Sequence, residues 1–277
     1  MKTVLKLIGG FVVVAVLLVV LARIFGLDPG PTRPGLWMRG EVVPKMSGLM
    51  MFPAMLLGPS VAGIALSMAT HGRAGLRNLL SRMRQIGSYR WLAALAIPPG
   101  LVIALLFGLK TFVSPVFAPN LFLIGLLFGC AAGFVEEIGW TSFAFPIMRL
   151  SQSEFGAGIS LGLLWAFWHL PVIDYLGSAT PHGRYWLPFF LASTAGMTAV
   201  RVLICWIYSN TNSVLLAQML HASSTGALAT FSPFRVTAGE EALWYALYAV
   251  GLWMIVAAVV AQFGTTLANK QPKQAST

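Results

Sequence analysis

The chain has 277 residues, of which 57% are hydrophobic and only 9% charged, with a mean hydropathy of +0.80. Soluble globular proteins carry about 25% charged residues, so this composition excludes an ordinary soluble domain and predicts a membrane protein. The net charge of +10 would suit a nucleic-acid-binding protein, but the basic residues cluster in loops between apolar runs, which membrane topology explains without nucleic acid.

Eight apolar runs are long enough for a membrane-spanning helix, which needs about 20 mostly apolar residues. The predicted fold is therefore all-α, a polytopic transmembrane helix bundle. The first run follows two lysines like a signal peptide, but no clear small-residue cleavage site follows it, so we expect a retained span. The eight predicted spans cover residues 5–27, 46–70, 91–112, 120–139, 156–176, 186–208, 212–232 and 240–264.

The arginine-rich loop 71–90 sets the predicted orientation. It carries five arginines and no acidic residue, and cytoplasmic loops of membrane proteins are enriched in Lys and Arg. With this loop in the cytoplasm, both termini are cytoplasmic too, and loop 28–45 faces outside. Apolar residues recur in loop 71–90 near helical spacing, so we expect it to lie along the inner leaflet. The polar tail 269–277 is predicted to be disordered.

Two adjacent carboxylates, Glu136 and Glu137, lie at the end of the 120–139 span, near its cytoplasmic side in the predicted topology. A charged side chain at the bilayer centre costs roughly 2.5–3.5 kcal/mol on insertion scales, so a carboxylate there indicates a function. The groups that could work with this pair are polar side chains on the other spans.

Two histidines lie inside other predicted spans. His169 follows Trp165 by one turn in the 156–176 span, and His221 lies in the 212–232 span in a polar stripe with Gln218 and Thr225. A lone membrane histidine can simply be a core residue bonded to a backbone carbonyl. The other polar groups of the stripe suit hydrogen bonds between helices. His221 is nevertheless a candidate for chemistry.

Other polar residues in or near the spans can be explained without a catalytic role, and Arg201 has two possible explanations. Arg201, in the 186–208 span, could extend to the cytoplasmic interface or pair with Glu136 or Glu137 inside the bundle. The two cysteines have no partner at metal-ligand spacing and are predicted to be core residues. Acidic residues at the start of the last span suit a helix N-terminus. The cysteines are Cys130 and Cys205, and the acidic residues are Glu240 and Glu241. Three further residues are predicted to be solvated at an outer helix end: Asp174, His182 and Arg184.

Two Glu and two His on three spans supply the parts of a hydrolytic site. A carboxylate can take a proton from water, and a histidine can orient that water and later protonate a leaving amine. A second histidine with a hydroxyl or amide can stabilise an oxyanion. The same set could instead bind zinc through Glu137, His169 and His221, since three protein ligands plus water form a catalytic zinc site. The chain has no His-Glu-x-x-His run.

Three segments resemble the successive motifs of the CPBP intramembrane proteases, the Abi family of type II CAAX prenyl endopeptidases and bacteriocin-processing or immunity proteins. They are Glu-Glu-Ile-Gly-Trp at 136–140, Trp-His-Leu-Pro at 168–171 and Asn-Ser-Val-Leu-Leu-Ala-Gln-Met-Leu-His-Ala-Ser at 212–223. The resemblance covers roughly residues 120–232. It divides the chain into N-terminal spans (1–119), a protease-like core (120–268) and the tail.

The resemblance implies roles for individual residues. Glu136 would be the general base that activates water, Glu137 would support it, His169 would assist, and His221 would help to form the oxyanion hole. It also favours a mechanism without metal. Three positions depart from the family pattern: Thr141 where arginine is expected, Trp165 where phenylalanine is usual, and Thr225 where asparagine is expected. Arg201 is a candidate to replace the missing arginine's charge.

The function predicted is an intramembrane endopeptidase that hydrolyses a peptide bond near the cytoplasmic side of the bilayer. Its partners would be membrane lipids and a peptide or membrane-protein substrate, with no nucleic acid. A short, simple chain suits a bacterial member, and so the bacterial inner membrane. A non-catalytic immunity or scaffold protein stays an alternative because of the two threonines. A proton-coupled transporter is another, since buried Glu and His form proton relays, although no inverted repeat is visible.

Overall fold

The computed structural model describes residues 46–179 and 182–268, and helices make up most of these residues. No strand occurs in the described residues, so the predicted all-α class is confirmed there. The predicted span 5–27, the loop 28–45 and the tail 269–277 lie outside the described residues. The helices of 15 residues or more within them are α1 (Met46–Arg84), α2 (Ile97–Phe112), α3 (Ile124–Gly139), α4 (Glu154–Trp168), α5 (Trp186–Thr211), α6 (Val214–Phe231) and α7 (Ala238–Phe263).

Four stretches of the described chain are long and apolar enough to cross a membrane: Tyr89–Phe112, Ile124–Met148, Gly183–Thr211 and Ala238–Thr266. Each overlaps a predicted span, although Ile124–Met148 extends nine residues beyond the predicted end at 139; the count of eight and the placement of the termini are not confirmed. Helix α4 is shorter than the predicted run 156–176 because the chain tightens after Trp168 into a 3₁₀ helix, Leu170–Tyr175. A proline near the start of that short helix lacks the N–H that would continue α4.

Helix α1 bends at Gly72, whose positive φ of 57° favours glycine. The part after the bend is helical, as the spacing of its apolar residues predicts. Leu79 is buried against the bundle, whereas Arg73, Arg77 and Arg84 are exposed. This segment therefore has one apolar face and one basic face, and its contact with a membrane surface stays a prediction.

Helices α3 and α6 pack at very close range through glycines. Cβ atoms added at Gly125, Gly129 and Gly133 would lie only 2.4–2.6 Å from backbone atoms of α6. Small residues spaced by four allow membrane helices to approach backbone to backbone. This contact fixes the end of α3, which carries the two glutamates, beside the middle of α6, which carries His221.

A π-helical turn, Trp140–Ala144, follows α3 directly and leads into one helical turn, Phe145–Met148. Arg82 of α1 holds this region by donating to the Ser142 carbonyl oxygen over 3.0 Å and to the Tyr208 hydroxyl. On the other side, α4 packs on α5 where a Cβ at Gly162 would meet the Cα of Thr198 at 2.7 Å. The end of α3 is thus enclosed by α1, α4, α5 and α6.

Three predicted environments are wrong. Cys130 is exposed, because it lies one residue after Gly129 and so about 100° away from the face of α3 that packs on α6. Glu241, which was expected only as an acidic residue at a helix N-terminus, and His182, which was predicted to be solvated, are both buried, and Nε2 of His182 lies 3.0 Å from Oε2 of Glu241. Of the remaining residues in that group, Cys205 is buried and Arg184 is exposed, as predicted, and the side chain of Asp174 lies outside the described residues.

Candidate active site

Glu137 is fully buried at the end of α3, and both of its oxygens are engaged. The guanidinium of Arg201, from α5, donates to Oε2 over 2.6 Å and to Oε1 over 2.9 Å. The Thr141 hydroxyl, one turn along the chain, also donates to Oε2, and Nδ1 of His221 donates to Oε1 over 2.7 Å. Two parallel N–H···O bonds from one arginine are the strongest form of this ion pair.

The position of Arg201 decides between the two explanations that the sequence left open. Its side chain is fully buried and paired with Glu137, so it does not extend to the interface. It also lies 3.4 Å from the Thr141 hydroxyl, at the position where the family pattern has arginine. Arg201 thus brings a guanidinium from another helix to the carboxylate that Thr141 also contacts.

Trp165 of α4 contacts one glutamate, both histidines and the arginine of the site. Its indole N–H donates to Oε2 of Glu136 over 2.9 Å. The rings of His169 and His221 approach it edge-on, with centroid distances of 5.6 and 4.8 Å. The Arg201 guanidinium lies 4.5 Å from its ring centre, a cation–π distance. Trp165 therefore connects the Glu136 side of the site to the Glu137 side.

The hydrogen bond of His169 defines which of its ring nitrogens donates and which accepts. Nδ1 of His169 lies 2.8 Å from the Trp165 carbonyl oxygen; because a carbonyl only accepts, Nδ1 carries the proton and Nε2 of the neutral ring is an acceptor. His169 is half-buried, whereas Glu136, Glu137 and His221 are buried. The more accessible side of the described site is therefore the side of His169.

The backbone around the glutamate pair departs from a regular α-helix. Gln218 of α6 donates to the Phe134 carbonyl oxygen over 2.7 Å, and the Ser60 hydroxyl donates to that of Val135. The amide of Trp140 then bonds to the carbonyls of both glutamates as the π turn begins. Single π turns inside helices often occur at functional sites. Side chains from α1 and α6 thus fix the backbone that carries the pair.

The structure does not bring together two groups of the predicted site, Thr225 and the set of zinc ligands. Thr225 is half-buried and forms no hydrogen bond with the other described site residues. Within residues 46–179 and 182–268, no three His, Cys, Asp or Glu side chains are grouped so that they could hold a metal ion. The predicted zinc ligands Glu137, His169 and His221 therefore do not form a ligand set, and the oxygens of Glu137 already accept from protein donors.

Sequence reasoning missed the hydrogen-bond partners of three residues in the site. The hydrogen bond from Thr141 to Glu137 could have been inferred from their i, i+4 spacing on a helix. The indole N–H of Trp165 was a visible difference from phenylalanine, but its acceptor depends on how α3 and α4 pack. The side chain of Gln218 bonds to the backbone of α3, as a polar residue that joins helices would, but its acceptor was not predictable.

Comparison with known proteins finds similarity in the part of the chain that carries the candidate site. The model of a family described as type II CAAX prenyl endopeptidase Rce1-like matches residues 118–227. A protein of Methanococcus maripaludis named CAAX prenyl protease 2 is 33% identical over 112 residues. The matched region is 38% of this chain and 38% of that relative, so the similarity spans well under half of either protein. The predicted resemblance is confirmed over residues 118–227, which contain the glutamate pair and both histidines.

Proposed function

We propose that this chain, which resembles CAAX prenyl endopeptidases over residues 118–227, is a membrane endopeptidase that uses Glu136 to activate water. One observation carries the proposal: Glu136 is a buried carboxylate whose Oε2 is held by Trp165, next to a half-buried histidine that contacts the same indole. A positioned carboxylate and histidine are the usual groups for proton transfer in hydrolysis.

Glu136 acts as the general base in this proposal. Its Oε2 accepts from the indole, and Oε1 accepts a proton from water as the water oxygen attacks the carbonyl carbon of the scissile peptide bond. Nε2 of His169 orients that water, because its Nδ1 proton is committed to the Trp165 carbonyl oxygen. The proton taken by Glu136 then passes to the leaving amine when the C–N bond breaks, so the protons balance.

Glu137 and His221 support the developing oxyanion. Nδ1 of His221 is bonded to Glu137, so an N–H directed at the oxyanion must come from Nε2, which requires the imidazolium form. The carboxylate of Glu137, itself fixed by Arg201 and Thr141, is the group that balances that charge. Removing one oxyanion donor typically costs about 10²–10³ in kcat. Thr225, one turn beyond His221, is a candidate second donor once substrate binds.

The reaction uses protein side chains alone, so a chelator such as 1,10-phenanthroline is expected to leave cleavage unchanged. In this proposal the site lies inside the bilayer, in the inner half of the membrane when loop 71–90 is cytoplasmic as predicted. At about 1.5 Å per residue, His221 is ~11 Å along α6 from its start, and Trp165 is ~17 Å along α4 from its start. The substrate class is a membrane-anchored peptide or protein, and a prenylated C-terminal peptide is the first candidate because the relative is named a prenyl protease.

The test compares peptides from membranes of cells that produce the wild type or Glu136→Gln, followed by cleavage assays with the purified protein. Glu136→Gln keeps the shape and the acceptor for Trp165 but cannot take a proton, so cleavage products should disappear. Glu154→Gln, a change at the start of α4 away from the cluster, serves as the matched control and should retain activity. Full activity in folded Glu136→Gln would contradict the proposal; biological activity without any cleavage would favour the scaffold alternative, and a loss confined to proton flux would favour transport.

A further inference from the structure

A second buried polar cluster surrounds Glu241 of α7, whose side chain is fully buried. Its carboxylate accepts four hydrogen bonds. The backbone amides of Ser178 and Ala179 donate over 2.7 Å each, the Ser178 hydroxyl over 3.2 Å, and Nε2 of His182 over 3.0 Å. The proposed reaction uses none of these residues, and a buried carboxylate would be costly without such partners.

The four donors all come from the chain that follows His169. Residues 176–179, named here the return turn, fold onto the carboxylate in a way that requires glycine at position 177. Gly177 has a φ of +82°, and an added Cβ would lie 2.7 Å from Oε1 of Glu241. The single proton of the Ser178 hydroxyl is shared between Glu241 and the closer Pro233 carbonyl oxygen, at 2.7 Å. This contact ties the return turn to the connection between α6 and α7.

His182 anchors the far side of the return turn. Its ring stacks on Phe189 of α5, with centroids 3.7 Å apart and planes 13° apart. Because a carboxylate only accepts, the ring nitrogen that meets Glu241 carries its proton. The return turn is therefore held by α5, α7 and the α6–α7 connection together.

A short and continuously bonded segment joins His169 to the return turn. The carbonyl oxygen of His169 accepts from the amide of Val172 over 3.0 Å, and the amide of Leu176 donates to Ile173 over 3.1 Å. The side chains of Val172 and Ile173 are both buried. This 3₁₀ segment has little freedom, so a displacement at Gly177 moves the end of α4.

His169 depends on that backbone for its place. Its ring is half-buried, and within the described residues it forms the Nδ1 bond to the Trp165 carbonyl and an edge contact with the Trp165 ring. Both contacts involve one residue of the same helix. The place of the His169 ring is therefore set by where α4 ends.

We propose that Glu241 is a positioning residue for His169: its carboxylate holds the return turn, and the return turn fixes the end of α4 and with it the imidazole. This inference rests on the proposed function only where it concerns the reaction. The positional claim, that Glu241 sets the place of the His169 ring, holds whatever the reaction is.

The test combines kinetics with NMR of the histidine rings, which the chain makes simple because it has four histidines. In protein labelled with ¹⁵N-histidine, the variant His169→Ala assigns the His169 signals. Glu241→Gln replaces two acceptor oxygens by one oxygen and an NH₂ group that faces other donors. We expect the His169 ring signals to shift or split, and kcat to fall roughly 10- to 100-fold while KM changes less than about twofold.

The matched control is Glu240→Gln, on the neighbouring residue, whose carboxylate caps the start of α7 and lies outside the cluster. It should leave the His169 signals and kcat unchanged. An unchanged His169 spectrum and kcat in folded Glu241→Gln would overturn the inference. If the wild type has no peptidase activity but the His169 signals still move, the proposed function fails and the positioning role stands.

A milder variant keeps the inference testable if Glu241→Gln does not fold. Ser178→Ala removes only the hydroxyl bonds to Glu241 and Pro233 and keeps both backbone amides in place. The His169 signals should shift in the same direction by a smaller amount, with a smaller loss of kcat. Signals identical to those of the wild type in Ser178→Ala would then reject the role of the return turn.

Discussion

Trp165 supplies two different interactions from one side chain. Its ring faces contact His221 and Arg201, and its N–H donates to Glu136. A phenylalanine could provide the first kind of contact but has no donor for the second. The larger residue therefore adds a fixed hydrogen bond to the proposed base.

Replacing Trp165 by phenylalanine isolates that hydrogen bond. The variant keeps an aromatic ring between the histidines but leaves Oε2 of Glu136 without its donor, so the carboxylate is less well oriented. We expect kcat to fall roughly 10-fold, while the protein still folds, because a single positioned group of this kind contributes about 10²–10⁴ in rate when it acts directly and less when it only orients. Steady-state assays of Trp165→Phe beside Trp186→Phe, a change outside the site, provide the measurement; equal activity of both variants would contradict the role.

The buried pair of Glu137 and Arg201 is expected to show strong coupling. Breaking a buried ion pair by removing one partner costs about 3–5 kcal/mol, because the other charge is left without compensation. Arg201→Met and Glu137→Gln should each destabilise the protein, and the double variant should lose at least ~1 kcal/mol less than the sum of the two.

Unfolding in detergent, followed for the wild type, both single variants and the double variant, measures that coupling. Arg84→Met, at an exposed position of α1, should leave stability nearly unchanged and controls for the loss of positive charge. Strictly additive losses would mean that Arg201 does not compensate for the arginine missing at position 141.

At the scale of helices, the glycine contact between α3 and α6 places the site. Because Gly129 and Gly133 allow the two backbones to meet, Glu137 reaches His221 directly and Gln218 reaches the backbone of α3. The glutamates lie at the end of α3, where the π turn starts and the regular hydrogen bonding changes.

Adding a methyl group at this contact should separate the helices. A Cβ at Gly133 would lie 2.4 Å from the Gln218 carbonyl oxygen, whereas a Cβ at Gly108 of α2 would meet nothing within 4 Å. We expect Gly133→Ala to destabilise the protein by about 1–3 kcal/mol, as overpacking does, and to reduce activity. Gly108→Ala should be neutral or slightly stabilising, by up to ~1 kcal/mol, because alanine favours a helix.

Thermal unfolding of the two alanine variants in the same detergent separates packing from helix propensity, since both replace a helical glycine. Equal stability of Gly133→Ala and Gly108→Ala would show that the backbones of α3 and α6 can move apart without loss of stability.

For the whole molecule, the arginine-rich second part of α1 and the segment before α5 lie at chain positions that the predicted topology puts on opposite sides of the membrane. Charge asymmetry between loops orients membrane proteins, and loop 71–90 has the strongest positive excess of any predicted loop. The proposed cytoplasmic depth of the site depends on this orientation.

Cysteine labelling tests that orientation. In a Cys130→Ser background, single cysteines replace Ser81 or Arg184, both of which are exposed, while Cys205 is buried. A membrane-impermeant maleimide should label the Arg184→Cys protein in intact cells and the Ser81→Cys protein only after the membrane is opened. The reverse pattern would place the site in the outer half of the bilayer; labelling of both after solubilisation is the control.

The sequence by itself determined the class of this protein and the residue types of its site. Long apolar runs determine helices in a membrane, because every backbone polar group there must be bonded within the chain, and carboxylates in such runs are conspicuous because they are costly. Glu136, Glu137, His169 and His221 could therefore be named as candidates. The pairing of Arg201 with one of the glutamates could only be offered as one of two options.

Only the tertiary structure decided which partner each residue has. The choice of Glu137 for Arg201, of Glu136 for the Trp165 indole and of His182 for Glu241 depends on contacts between residues 29 to 64 positions apart in the chain. Neighbours such as Glu136 and Glu137, or Glu240 and Glu241, differ by one residue and so by about 100° around a helix. The sequence records that they are adjacent, while helix packing determines that each faces a different environment.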